Sequence, residues 1–93
     1  MTPLELQIQT LPDNPGVYQY YDKDNKILYV GKAKSLNKRV TSYFRKQNDV
    51  PIRTQKLVEQ IVDIEWIEVG SDLEALLLET NLIKEYLPKY NVL

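Results

Sequence analysis

A chain of 93 residues with 43% hydrophobic side chains is long enough for one modest core and no more. It contains neither cysteine nor histidine, which excludes thiolate nucleophiles, structural zinc, His-based metal centres and the usual general base near neutral pH. The net charge is -1, no apolar run approaches the roughly 18 residues of a membrane span, and Met1-Thr2-Pro3-Leu4-Glu5 lacks the basic and apolar regions of a secretory signal, so a cytoplasmic location is expected.

In chain order, Thr2 before Pro3 predicts an N-cap followed by proline at the first helical position, opening a short helix to about Gln9. Leu11-Pro12-Asp13-Asn14-Pro15-Gly16 is turn chemistry and ends it. Residues 17–21 and 27–31 are rich in β-formers and flank a polar loop, which predicts a hairpin. Alternation puts Tyr18 and Tyr20 on one face of the first strand, and Ile27 and Tyr29 on one face of the second. The register between the two strands stays open. Ser35 caps a helix to about Arg45, with Leu36, Val40 and Phe44 facing the core and Arg39 and Tyr43 forming a neighbouring stripe. Asp49 and Pro51 start a third helix through Leu57, Val58 and Ile61, and residues 64–69 form a third strand. Ser71-Asp72-Leu73-Glu74 is a capping box whose helix runs until Pro88 stops it. The expected fold is α/β (α+β): one domain over residues 1–93, a small three-stranded, largely antiparallel sheet flanked by helices.

The net charge conceals a division. Every charged side chain between Lys26 and Asn48 is basic, whereas those between Leu57 and Tyr86 are acidic apart from Lys84. A polyanion meets the local patch, not the sum, so Lys32, Lys34, Lys38, Arg39, Arg45 and Lys46 are candidate DNA contacts. The alternative is two ordinary solvated faces.

Glu79 sits in Ala75-Leu76-Leu77-Leu78-Glu79-Thr80-Asn81-Leu82-Ile83, a helix apolar nearly all round. It is either a boundary residue reaching water or a ligand for a hard cation, since one carboxylate plus waters and substrate phosphate is a common way to hold Mg²⁺. Tyr18 and Tyr29 are either ordinary sheet tyrosines or, with no histidine available, the groups that orient or deprotonate a water. In the second case nearby cations are expected to lower their pKa. Lys32, Arg39 and Tyr43 together suit phosphate clamping, Arg39 as a planar fork and Lys32 as a point charge. Gly16 and Gly31 are accounted for by backbone geometry at strand ends.

Gly16-Val17-Tyr18 and Tyr29-Val30-Gly31 resemble the two namesake motifs of the GIY-YIG nucleases, with Val in place of Ile in each. The wider text is more specific: Lys32-Ala33-Lys34-Ser35-Leu36, Lys38-Arg39-Val40, Ser42-Tyr43-Phe44, Glu74-Ala75-Leu76-Leu77-Leu78-Glu79, and Pro88-Lys89-Tyr90-Asn91-Val92-Leu93. From Leu11 onward the chain is similar to the UvrC-type branch of that family, the N-terminal nuclease domain of a bacterial excision-repair subunit. The resemblance implies a divalent-metal-dependent endonuclease that makes the incision on the 3′ side of a DNA lesion. It implies Glu79 as ligand of a single Mg²⁺ or Mn²⁺, Tyr29 and Tyr18 near the attacking water, and Lys32 beside them. It further implies that Arg39 meets the scissile phosphate, that Tyr43 adds a further phenol, and that Asn91 supports the site by hydrogen bonding. Relatives continue past Leu93 into a segment that binds the helicase subunit UvrB, so the chain is expected to be an excised, monomeric domain. The alternatives are another GIY-YIG repair nuclease and a non-catalytic DNA-binding module.

Overall fold

The computed structural model describes residues 1–45 and 49–91. Three strands, β1 (Gly16–Tyr21), β2 (Ile27–Ala33) and β3 (Asp63–Glu68), form one sheet in the order β2-β1-β3, with both pairings antiparallel. β1 is central and buried on both faces from Gly16 to Tyr20, which explains its unbroken run of bulky residues. The order α-β-β-α-α-β-α is the expected one.

Helix ends follow local chemistry. α1 (Pro3–Thr10) begins where the Thr2 hydroxyl accepts the Glu5 N–H at 3.1 Å. In α2 (Leu36–Phe44) the Ser35 hydroxyl accepts the Lys38 N–H at 3.3 Å. α3 (Ile52–Gln60) starts after Pro51 without a side-chain cap. α4 (Asp72–Tyr86) is capped by Ser71, whose hydroxyl accepts the Glu74 N–H at 3.2 Å. The helix closes with Leu87 in the left-handed region, φ 44°, and Pro88 follows.

The sheet separates two cores. Tyr18, Tyr20, Leu28 and Ile64 pack beneath α1, α2 and α3 with Leu36, Val40, Leu57 and Tyr90. Val17 and Val30 pack on the other side with Ala75, Leu78, Leu82 and Ile83 of α4. Pairing jumps from Tyr20↔Tyr29 to Tyr21↔Ile27, so Leu28 is an extra residue in β2. That bulge corrects the expected alternation: Ile27 joins the aliphatic side while Tyr29 stays with the phenols. Among the described residues no helix is long and apolar enough to cross a membrane.

Candidate active site

The hairpin register puts Tyr18 opposite Gly31 and Tyr20 opposite Tyr29, so residues of the two tripeptides become cross-strand partners. Gly31 is required for space, because a Cβ there would run into the Tyr18 phenol. At Gly16 a Cβ would sit 2.5 Å from the Ile67 carbonyl oxygen and 2.7 Å from Leu36 Cδ1. Neither glycine has a positive φ. Close approach, rather than strand-end conformation, therefore accounts for both.

Tyr43 closes the cluster from α2. The Tyr18 hydroxyl donates to the Tyr43 hydroxyl at 3.3 Å, and ring centroids lie 6.1 Å apart for Tyr18 and Tyr29 and 6.2 Å for Tyr29 and Tyr43. Arg39, one turn before Tyr43, donates from Nε to the Tyr18 hydroxyl at 3.4 Å, and its guanidinium lies 5.3 Å from the Tyr43 ring. The Pro-rich turn seats this helix. Leu36 N–H donates to the Asn14 carbonyl at 3.0 Å, and the Asn37 N–H and side-chain amide reach the Pro12 and Leu11 carbonyls at 3.1 and 3.2 Å.

Burial sets the ionisation of these phenols. Loss of solvent pushes Tyr18 and Tyr20 well above the ordinary tyrosine range, with neighbouring phenols adding to the effect. Tyr29 is pushed up to about 12, first by burial and then by Tyr43, while Arg39 opposes and Glu79 reinforces the shift. The expectation that cations would lower the Tyr29 pKa is thus reversed. Arg39 acts in the expected direction, but desolvation of the phenolate outweighs it. At neutral pH Tyr29 is a hydroxyl that can both donate and accept.

The outer edge of β2 gathers the remaining groups. An edge strand exposes unpaired backbone groups, and here four of them find partners. Leu28 O accepts the Tyr90 N–H at 3.0 Å. The Asn91 side chain clamps Val30, accepting its N–H at 2.8 Å and donating to its carbonyl at 2.9 Å. Lys32 N–H donates to Glu79 Oε2 at 3.0 Å. α4 thus delivers its carboxylate around the sheet edge to the phenol side, where its charge is felt by Tyr29.

Glu79 is half-buried, and its surroundings are less greasy than the helix pattern implies. Leu73, Leu76 and Leu77 are 63%, 46% and 56% exposed, and Ala75 is the buried residue of α4. Among the described residues no group of three or more acidic side chains is placed to hold a metal ion together. One oxygen-donor carboxylate, already oriented by a backbone N–H, fits a hard divalent ion that keeps most of its own water.

Lys32, Lys34, Ser35, Lys38 and Arg39 line one open groove of about 460 Å³, with Asp72 in its wall. Arg45 is exposed just beyond the end of α2 and is not part of that wall. Lys46 lies outside the described residues. Sequence reading missed Tyr20, whose ring is 5.3 Å from that of Tyr43; its alternation with Tyr18 was the available signal. It also missed Arg53 and Tyr90, which are distant in sequence and meet beside Tyr29 and Tyr43.

Comparison with known proteins identifies the family and the fold. The family model described as the UvrC-like GIY-YIG domain matches residues 14–92. The UvrABC system protein C of Flavobacterium psychrophilum is 67% identical over 90 residues, covering 97% of this chain and 15% of that protein. Its counterpart from a Porphyromonas gingivalis strain is 57% identical over 95 residues, covering 100% of this chain and 16% of that protein. The chain therefore spans about 15% of the length of the curated relatives it matches. Among solved structures, the GIY-YIG N-terminal endonuclease domain of UvrC from Thermotoga maritima, bound to its catalytic divalent cation, magnesium, has a TM-score of 0.83. It is 38% identical, with 98% of this chain and 99% of that chain covered.

Proposed function

Because the chain belongs to the UvrC-like GIY-YIG domain family, we propose that it is a divalent-metal-dependent endonuclease domain that hydrolyses one DNA phosphodiester on the 3′ side of a lesion in excision repair. It acts as one monomeric domain of a longer cytoplasmic protein, which meets the helicase subunit UvrB through regions outside this chain. The observation that carries this reading is that α4 brings Glu79 to the Lys32 N–H on β2, the strand whose Tyr29 is grouped with Tyr43 and Arg39.

Glu79 would hold one Mg²⁺ or Mn²⁺, which when bound would supply Lewis-acid stabilisation of the charge that builds on the leaving oxygen. The Arg39 fork binds the scissile phosphate and Lys32 adds a point charge, so both neutralise charge on the pentacoordinate transition state. Tyr29, protonated at neutral pH, orients the attacking water as hydrogen-bond acceptor and donor. Tyr18 holds Arg39 through Nε and Tyr43 through its hydroxyl, fixing the fork before substrate arrives. Asn91 clamps Val30 between Tyr29 and Gly31, which keeps the Tyr29 side chain aimed. Lys34 and Lys38 extend the phosphate path along the groove, and Arg45 and Lys46 follow them in sequence as further DNA contacts.

Glu79→Gln tests the assignment, since it removes the charge and keeps the shape. Calorimetric binding of Mg²⁺ to this domain should disappear while its circular dichroism stays native. In the full-length protein the 3′ incision should fall at least about 10²-fold, the scale of losing one transition-state charge stabiliser. Incision within a few-fold of wild type would overturn the metal assignment.

A further inference from the structure

We propose that Arg53 is a second guanidinium contact to the DNA backbone, on the side of the phenol cluster away from Lys34 and Lys38. This rests on the nuclease reading above and extends it to the path of the strand. Two smaller clefts continue from the basic groove. The first, about 250 Å³, shares Arg39 and Ser42 with the groove and adds Tyr43, Asp49 and Thr54. The second, about 140 Å³, shares Tyr43 and Thr54 with the first and adds Tyr29, Arg53 and Tyr90. Their shared walls make one trough that passes over Arg39 and Tyr43 and has cations at both ends. A strand presenting its phosphate to Arg39 continues in both directions, and the outgoing direction leads to Arg53.

Arg53 is built for such a contact. Its Nη2 donates to the Tyr90 carbonyl and its guanidinium lies 5.8 Å from the Tyr90 ring centroid. Gln60 donates to the Tyr90 hydroxyl at 2.6 Å, so the ring is itself fixed. The fork is therefore oriented at one corner while the side chain stays exposed, leaving its other N–H donors available. Lys89 Nζ lies 5.5 Å from the same ring, so two cations share Tyr90. The acidic groups of the trough are Asp72 in the basic groove and Asp49 in the middle cleft, and neither lines the cleft that holds Arg53. A phosphate is thus favoured at the Tyr90 end.

The test measures binding of a duplex oligonucleotide to this domain in magnesium-free buffer across a salt series, for wild type, Arg39→Gln, Arg53→Gln and Arg53→Lys. Arg53→Gln should weaken binding several-fold and make the slope of log K against log salt shallower by about 0.9, one phosphate contact. Arg53→Lys should restore the slope. A folded Arg53→Gln variant with wild-type slope, whatever its thermal stability, overturns the proposal and leaves Arg53 as a tie to the C-terminal turn. Should Arg53→Gln not fold, the side-chain Nε–H resonances of the wild type give the answer during DNA titration. Movement of both Arg39 and Arg53 supports the contact, and movement of Arg39 alone overturns it. If neither moves, the nuclease site reading falls as well.

Discussion

On the side of the sheet covered by α4 the core is Val17, Val30 and Ala75, aliphatic groups whose task is to exclude water. On the side covered by α1, α2 and α3 it is built around Tyr18 and Tyr20, each with no exposed surface, so their hydroxyls are desolvated along with their rings. Burying hydroxyls costs free energy unless they are hydrogen-bonded. The aliphatic side therefore carries stability cheaply and lends one group, Glu79, to the proposed site. The phenol side accepts a polar interior in which the Tyr18 hydroxyl holds Arg39, the fork of the proposed site. The two sides are interleaved along β1, so a slip of one residue would exchange them.

The contact between Tyr18 and Gly31 is the lock against that slip, and Gly31→Ala is the harshest way to break it. The added methyl group has no free space, since the Tyr18 phenol occupies it. Overpacking of this kind destabilises by about 1–3 kcal/mol, and moving Tyr18 would also release Arg39. A lowered urea midpoint with an unchanged m-value, together with severe loss of incision, is expected. A stable and active variant would mean that the two sides are not held in register by this pair.

Alkali separates the two sides by chemistry. The ordinary tyrosine value of 10.0 rises to about 12 for Tyr29, and Tyr18 and Tyr20 also shift upward. A folded pKa above the unfolded one contributes stability fully present below about pH 10, lost as pH climbs through the folded value. The domain should hold through mildly alkaline pH and then unfold cooperatively, its buried phenols ionising only as helical dichroism is lost. Tyrosinate absorbance and circular dichroism followed in one titration check this. Complete ionisation near 10 with native dichroism would show the phenol side to be open to water.

Those two outcomes turn on features of unequal legibility. Thr2, Ser35 and Ser71 announced three helix starts because a cap is a local contact between neighbours in sequence. The Arg39 and Tyr43 stripe was readable from helical spacing, and the groove of Lys32, Lys34 and Lys38 from charge. The extra residue Leu28 was not legible, because a bulge is decided by pairing with another strand. Nor was the sign of the Tyr29 shift, where composition displays the cations but not the desolvation. The Asn91 clamp and the Arg53–Tyr90 contact are long-range and left no local pattern; only the resemblance pointed to Asn91.

The smallest effect concerns the residue that makes the contrast sharpest. The Tyr20 hydroxyl is buried and has no hydrogen-bond partner among the described residues. Its ring is nonetheless in use, packed 6.2 Å from Tyr29 with the planes 28° apart and 5.3 Å from Tyr43. Tyr20→Phe keeps the ring and removes the unsatisfied group, so it should stabilise the domain by about 1 kcal/mol. For a chain of this size that raises Tm by roughly 4–8 °C. Incision should be unchanged, because Tyr18, Tyr29 and Tyr43 keep the same neighbour. Differential scanning calorimetry of the two proteins decides it. A lower Tm in Tyr20→Phe would mean that the hydroxyl has a partner after all, a buried water or a neighbouring phenol, and that the polar side of the sheet is satisfied throughout. A higher Tm with full activity would localise the excess cost of that side to one oxygen the reaction does not use.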